Sequence, residues 1–123
     1  MGQNSTEVAY GFGQMGSILI TGTANAVTLI GGRDSGSTPA SNVNRIDKVF
    51  VAITFLADTV FDAAGLTSDD NTMYPNDTVA STGIDADGGA VTDSVTFPKG
   101  LTIYGRWTSI KLDSGSCIAY VGY

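Results

Sequence analysis

Apolar residues fall in short strand-like runs separated by long stretches of turn formers. The strongest run is DKVFVAITFLA (47–57). Val49, Val51, Ile53, Phe55 and Ala57 share one face, and Phe50, Ala52 and Leu56 share the other. Both faces are apolar, which predicts a central strand covered on both sides. LTIYGRWTSIKL (101–112) predicts a second long strand, DSGS (113–116) a hairpin turn, and CIAYVGY (117–123) a closing strand. Within 101–112 the alternation shifts, from Leu101, Ile103 and Trp107 on one face to Ile110 and Leu112 on the other. One extra residue flips the register, so a bulge or kink at Gly105 would bring both sets inward. SILITGT (17–23) and AVTLI (26–30) predict a hairpin around Ala24-Asn25. DTVFDAA (58–64) reads as a strand, with the alternative of one or two helical turns capped by Asp58 and stopped by Gly65. VTDSVTF (91–97) resumes strand character before a turn at Pro98-Lys99-Gly100.

These elements predict an all-β fold, a small antiparallel β-sandwich or barrel. Residues 1–16 form an N-terminal arm and 17–123 a single β-domain with long loops at 31–44 and 66–92. Loops of that length are functional or disordered in compact domains. Such segments gain order by lying on another copy or a larger partner.

Composition sharpens this picture. A chain of 123 residues fits one domain. There are 12 acidic and 6 basic residues, for a net charge of -6, and Glu7 is the only glutamate. The aspartates are turn formers and poor helix formers. No Lys or Arg lies between Lys48 and Lys99, whereas Asp58, Asp62, Asp69, Asp70, Asp77, Asp85, Asp87 and Asp93 do. This central acidic segment is expected to be solvated or to face a basic surface. An acidic chain gains nothing from a phosphate backbone, so nucleic acid is not the expected partner. The start lacks the basic and apolar regions of a signal peptide. The longest apolar run is too short to span a bilayer as a helix. No membrane partner and synthesis in a cytoplasm are therefore expected.

Candidate chemistry is sparse. The chain has no His, and its lone Cys117 sits in an apolar run, as a small buried hydrophobe would. A reactive thiol needs an activating base. Gly11, Gly13 and Gly16 fit GxGxxG, but without the strand before and helix after that a dinucleotide site requires. MGQNST fits a myristoylation pattern without a supporting basic patch. Asn4-Ser5-Thr6 and Asn76-Asp77-Thr78 match glycosylation triplets, which carry meaning only with secretion. Asp85, Asp87 and Asp93 could supply oxygens to Ca²⁺, but the spacing is not that of an EF-hand, and a solvated turn is the better reading. No spacing singles out an acid–base pair for glycoside hydrolysis. No catalytic residue, metal or cofactor is assigned. Trp107, Tyr104, Tyr120 and Tyr123 cluster near the end of the chain, with Trp107 expected in the core.

The segment FPKGLTIYGRWTSIKLDSGSCIAYVGY (97–123) resembles the C-terminal ends of small virion proteins of tailed bacteriophages. The resemblance rests on the aromatic-Pro-x-Gly turn Phe97–Gly100, the GRWT strand at 105–108, and the short strand Gly115-Ser116-Cys117-Ile118-Ala119-Tyr120. It implies a capsid decoration (cement) protein: a non-catalytic homo-oligomer, often a trimer, seated on the major capsid protein lattice of a virion assembled in the host cytoplasm. A tail, collar or fibre-associated component, and a carbohydrate-binding β-module, are the alternatives. The expected interface residues are Tyr10, Phe12, Met15, Met73, Tyr74 and Tyr123.

Overall fold

The computed structural model describes residues 16–29 and 48–122. The arm through Met15, with Tyr10, Phe12 and Met15, the whole 31–44 loop, and Tyr123 lie outside these residues. The described chain contains six strands and no helix. They are β1 (Ser17–Ile20), β2 (Val27–Thr28), β3 (Val49–Phe55), β4 (Val60–Ser68), β5 (Thr102–Ser114) and β6 (Cys117–Gly122). All pair antiparallel in one sheet of order β1-β6-β3-β5-β2, with β4 on the remaining edge of β5. The all-β expectation holds, in the form of a strongly curled sheet that makes a half-barrel.

The apolar run at 47–57 becomes the central strand, as its two apolar faces require. Phe50, Ile53 and Phe55 point into the core with Phe61, Leu66, Trp107, Ile110, Leu112, Cys117, Ala119 and Val121. Phe55, Phe61 and Phe97 close one end, with ring centroids 5.0–5.9 Å apart.

The curl follows from extra residues that accumulate across the sheet. Between the row through Ile53 and the row through Phe50, β6 takes two steps (Ala119 to Val121) and β3 three. β5 takes four, from Ile103 to Trp107. Gly105 and Arg106 thus oppose the single residue Val51, a β-bulge at the predicted kink. A Cβ on Gly105 would lie 2.7 Å from the Trp107 ring, so only glycine fits beneath the indole. This bulge does not by itself turn Ile110 and Leu112 inward. A second shift, where Thr67–Ser68 oppose Ser109–Trp107, places the extra residue at Thr108 and does so. Leu101, expected with the inward set, is exposed.

Straight, the thirteen residues of β5 would span about 40 Å at roughly 3.3 Å per residue. Both of its ends nevertheless meet the same end of β3. Thr102 pairs with Thr54, and just past β5 the Ser116 carbonyl accepts from Leu56 N at 2.9 Å. The strand therefore wraps around the core, and this decides the topology.

Two predicted hairpins do not form. β5 and β6 flank β3 instead of pairing with each other. The Gly115-Ser116 link crosses beneath Thr59, where a Cβ on Gly115 (φ 93°) would sit 2.4 Å from Thr59 Oγ1. β1 pairs with β6 and β2 with β5, so residues 17–28 bridge the two flanks of the half-barrel. The predicted strand at 91–97 is reduced to one bridge, Thr59 to Phe97. Ser94 is left-handed (φ 64°) and Val95 N donates to Thr92 O, which turns the backbone out of extension. The 58–64 segment is strand, as favoured, but continues to Ser68, so the acidic loop starts at Asp69.

Candidate functional site

Segment 69–101 joins β4 to β5 and carries six of the twelve acidic residues. It contains no strand of its own, yet it is organised in detail by two adjacent side chains. Asn76 is buried, and its Nδ2 donates to Asn71 O (2.8 Å) and Tyr74 O (2.9 Å). Its Oδ1 accepts from Thr78 N (2.9 Å), Thr78 Oγ1 (3.0 Å) and Val79 N (2.8 Å). Every hydrogen-bonding capacity of the amide is used within the loop, which also removes Asn76 as a glycan acceptor.

Asp77 then ties the loop to the sheet. Its Oδ2 accepts from Gly65 N at 2.7 Å, its Oδ1 accepts from the Thr92 hydroxyl, and its backbone N donates to Leu66 O at 3.1 Å. Gly65 sits in a wide bulge where residues 62–65 oppose Lys111, which turns the amide outward. A Cβ there would meet Lys111 O at 2.4 Å and Asp62 O at 2.7 Å. Thr92 N donates to Asn76 O at 2.9 Å and closes the far limb of the loop onto the same point. From the core side, Trp107 Nε1 donates to Pro75 O at 2.7 Å. The indole thus both fills the barrel and holds the loop, as its expected core position allows.

The other acids among the described residues face outward or make surface pairs. Asp62 binds Lys111 at 2.6 Å, and that hydrogen bond holds its carboxyl below the ordinary range. Asp69 meets Arg106 Nε at 3.1 Å. Asp70 accepts from Thr72 N and Oγ1; the backbone N–H, then the hydroxyl, lower its pKa. Asp85 accepts from Asp87 N at 2.9 Å in an exposed turn, and Asp93 is exposed. Among the described residues no three His, Cys, Asp or Glu converge on a point that would hold a metal ion. Cys117 is buried in the core, and burial pushes its thiol up to about 12.

Met73 and Tyr74 lie in one turn, where both backbone N–H groups donate to Asp70 O. Met73 is 42% exposed and packs over Gly83, beside Ile84 at 68%. Tyr74 is half-buried. The loop thus presents a small apolar tip among aspartates. Of the six expected interface residues, these two are brought together; the other four lie outside the described residues. The sequence did not single out Asn76, Asp77 or Thr92, because a turn-forming aspartate and a buried latch have the same local composition.

Two further surfaces stand out. On the outer face, Ala52 pairs with Tyr104 on one side and Tyr120 on the other, and Tyr104 is 65% exposed. At the opening of the half-barrel, a cleft of about 270 Å³ lies between β1 and β2. Its walls are Gly16, Ile18, Val27, Leu29, Phe50 and Val121, with Lys48 at its margin.

No family model, curated protein or solved structure matches the chain.

Proposed function

We propose that this chain is a structural virion protein that binds and stabilises an assembled tailed-phage capsid, without catalysis. The observation that carries the reading is the latched acidic loop. A long segment with no regular structure is fixed on the sheet through Asn76, Asp77 and Thr92, and it presents an exposed apolar tip at Met73 and Ile84. A contact surface ordered before binding loses less entropy on docking. The resemblance of residues 97–123 to small phage virion proteins supplies the setting.

The mechanism is thermodynamic. A protein that binds the assembled shell and not the free subunit favours the shell by mass action. Weak contacts repeated over copies gain strength through multivalency when the copies are joined. Acidic loops meeting a basic lattice surface would add electrostatic steering that weakens with salt.

Pelleting assays test the reading. The purified chain should co-sediment with mature shells at a saturating stoichiometry and stay in solution with free capsid subunits. Equal recovery with and without shells would sink it. The carbohydrate reading is favoured by one feature, the outer row Tyr104–Ala52–Tyr120. Trp107 cannot serve it, being fully buried. Chemical-shift changes at Tyr104 and Tyr120 with a soluble glycan would support that reading over the first.

A further inference from the structure

Ile18 and Ile20 lie on one face of β1, the face of the core residues Ala119 and Cys117 with which they pair. Ile20 is sealed at 3% exposure, whereas Ile18 is 39% exposed. Across the opening, Val27 and Leu29 are only partly packed against the core. The apolar interior of the half-barrel is thus open along one seam, between β1 and β2. Two spaces follow that seam. The cleft of about 270 Å³ lies beside Gly16 to Ile18, with Phe50 and Val121 as its floor. A second space of about 240 Å³ lies beside Leu19 to Thr21, and Val27 lines both. At roughly 3.3 Å per residue, the five steps from Gly16 to Thr21 make a seam about 16 Å long. Together the two spaces have the size of a small-molecule site, and their walls are mostly apolar, as such sites require.

The seam carries a single charge. Lys48, at the Gly16 end, is the only charged residue lining either space. The chain as a whole has twice as many acids as bases, 12 against 6. Arg106 and Lys111 are paired with Asp69 and Asp62, but among the described residues Lys48 pairs with no aspartate. The far end carries Thr21 and Asn25, both neutral. A Cβ on Gly16 or on Gly22 would meet nothing within 4 Å, so both ends are open to entry. A long apolar groove with one cation at one end is complementary to an elongated apolar molecule with one anionic end.

We propose that the β1–β2 seam binds a medium-chain fatty acid, with its carboxylate at Lys48 and its alkyl chain laid along Ile18, Val27 and Leu29 towards Thr21. The chain completes the core that the sheet leaves open, so burial supplies the affinity. Lys48 sets the direction in which the ligand lies and favours an acid over an alcohol or an amine. The seam is separate from the 69–101 loop, and the inference does not depend on capsid binding.

The test titrates the full-length protein with hexanoate, octanoate and decanoate, each below its micellar concentration. NMR shifts at Ile18, Val27 and Leu29 report occupancy. The expected result is saturable binding of one ligand per chain, tightening about fourfold for each added methylene. Lys48→Gln should weaken decanoate about two- to fivefold, the range of an exposed ion pair, and leave decanol unchanged. Ile18→Trp fills the seam from a position that is already exposed, and should abolish binding of both while the thermal midpoint is kept. Absence of a saturable shift at these residues with decanoate would overturn the proposal. So would decanol or decylamine binding as tightly as decanoate, or Lys48→Gln binding decanoate like wild type. Failure of capsid pelleting with these results intact would sink the virion reading alone.

Discussion

Replacing Asp77 with alanine tests whether the acidic loop is fixed by one latch. The substitution removes the acceptors for Gly65 N and the Thr92 hydroxyl, both buried. Thr92 can turn its hydroxyl elsewhere. The Gly65 amide cannot, because the Lys111 and Asp62 carbonyls enclose its α-carbon and leave no room to rebuild the bulge. A hydrogen bond to a carboxylate contributes about 1.5–3 kcal/mol, and a stranded buried donor costs about 1–3 kcal/mol. Allowing for relaxation at Thr92, Asp77→Ala should lose about 3–5 kcal/mol, a large share of the roughly 5–15 kcal/mol of a typical domain. At about 3–5 °C per kcal/mol for this chain length, Tm falls by roughly 10–20 °C. Asp77→Asn keeps one acceptor and should lose about half as much. Asp85→Ala, in an exposed turn, should stay within about 0.5 kcal/mol of wild type. The assay is thermal unfolding followed by Trp107 emission, with limited proteolysis across 78–91. The emission is informative because the indole N–H is bonded to Pro75 O in the same loop. A variant melting within 2 °C of wild type, as an order-of-magnitude threshold from that scale, with no new cleavage between 78 and 91, would refute the latch.

Other substitutions separate the core from the loop. Trp107→Phe keeps the ring in the barrel but strands Pro75 O, and should lose about 1–3 kcal/mol in urea unfolding. Gly105→Ala drives a methyl into the indole and should cost about 1–3 kcal/mol, with near-UV dichroism of the tryptophan altered. Ala64 is left-handed (φ 55°), so Ala64→Gly should raise stability by up to about 1 kcal/mol, a gain visible as a higher urea midpoint. The Cys117 thiol, raised from 9.0 to about 12 by burial, should be inert to a disulfide-exchange reagent at pH 8 until denaturant is added. Its linkage has a definite sign. The folded state holds the proton that the unfolded state releases, so this contribution is complete below pH 9 and is lost as pH rises from 9 towards 12. Cys117→Ala should flatten that alkaline loss.

The fold was legible where periodicity is strong, and pairing was not. Val49–Phe55 shows its central place by having two apolar faces. Thr102–Ser114 and Cys117–Gly122 show as strands by alternation and by the glycine between them. That same glycine invites a hairpin, and only the wrapping of β5 around the core puts β3 between the two strands. The wrapping is built from bulges at Gly105 and Thr108. The break in alternation between Trp107 and Ile110 is the trace of the Thr108 shift, but a threonine in a strand signals nothing unusual, so the sequence places the break at the nearby glycine, Gly105. VTDSVTF alternates as well as a true strand does, but Thr92 is held by Asp77 and Asn76, and this tertiary demand overrides the local preference. The latch itself was hidden among many aspartates of identical local chemistry. What separates Asp77 from Asp85 is a bulge in another strand that offers it an amide.

The central claim is that this chain seats on an assembled capsid. The most direct measurement is an imaging reconstruction of virions that carry it. The account predicts half-barrel density at repeated lattice positions on the shell, with segment 69–101 and its Met73 tip against the capsid protein. Density confined to the tail or collar, or shells of full occupancy with no such half-barrel, would contradict it.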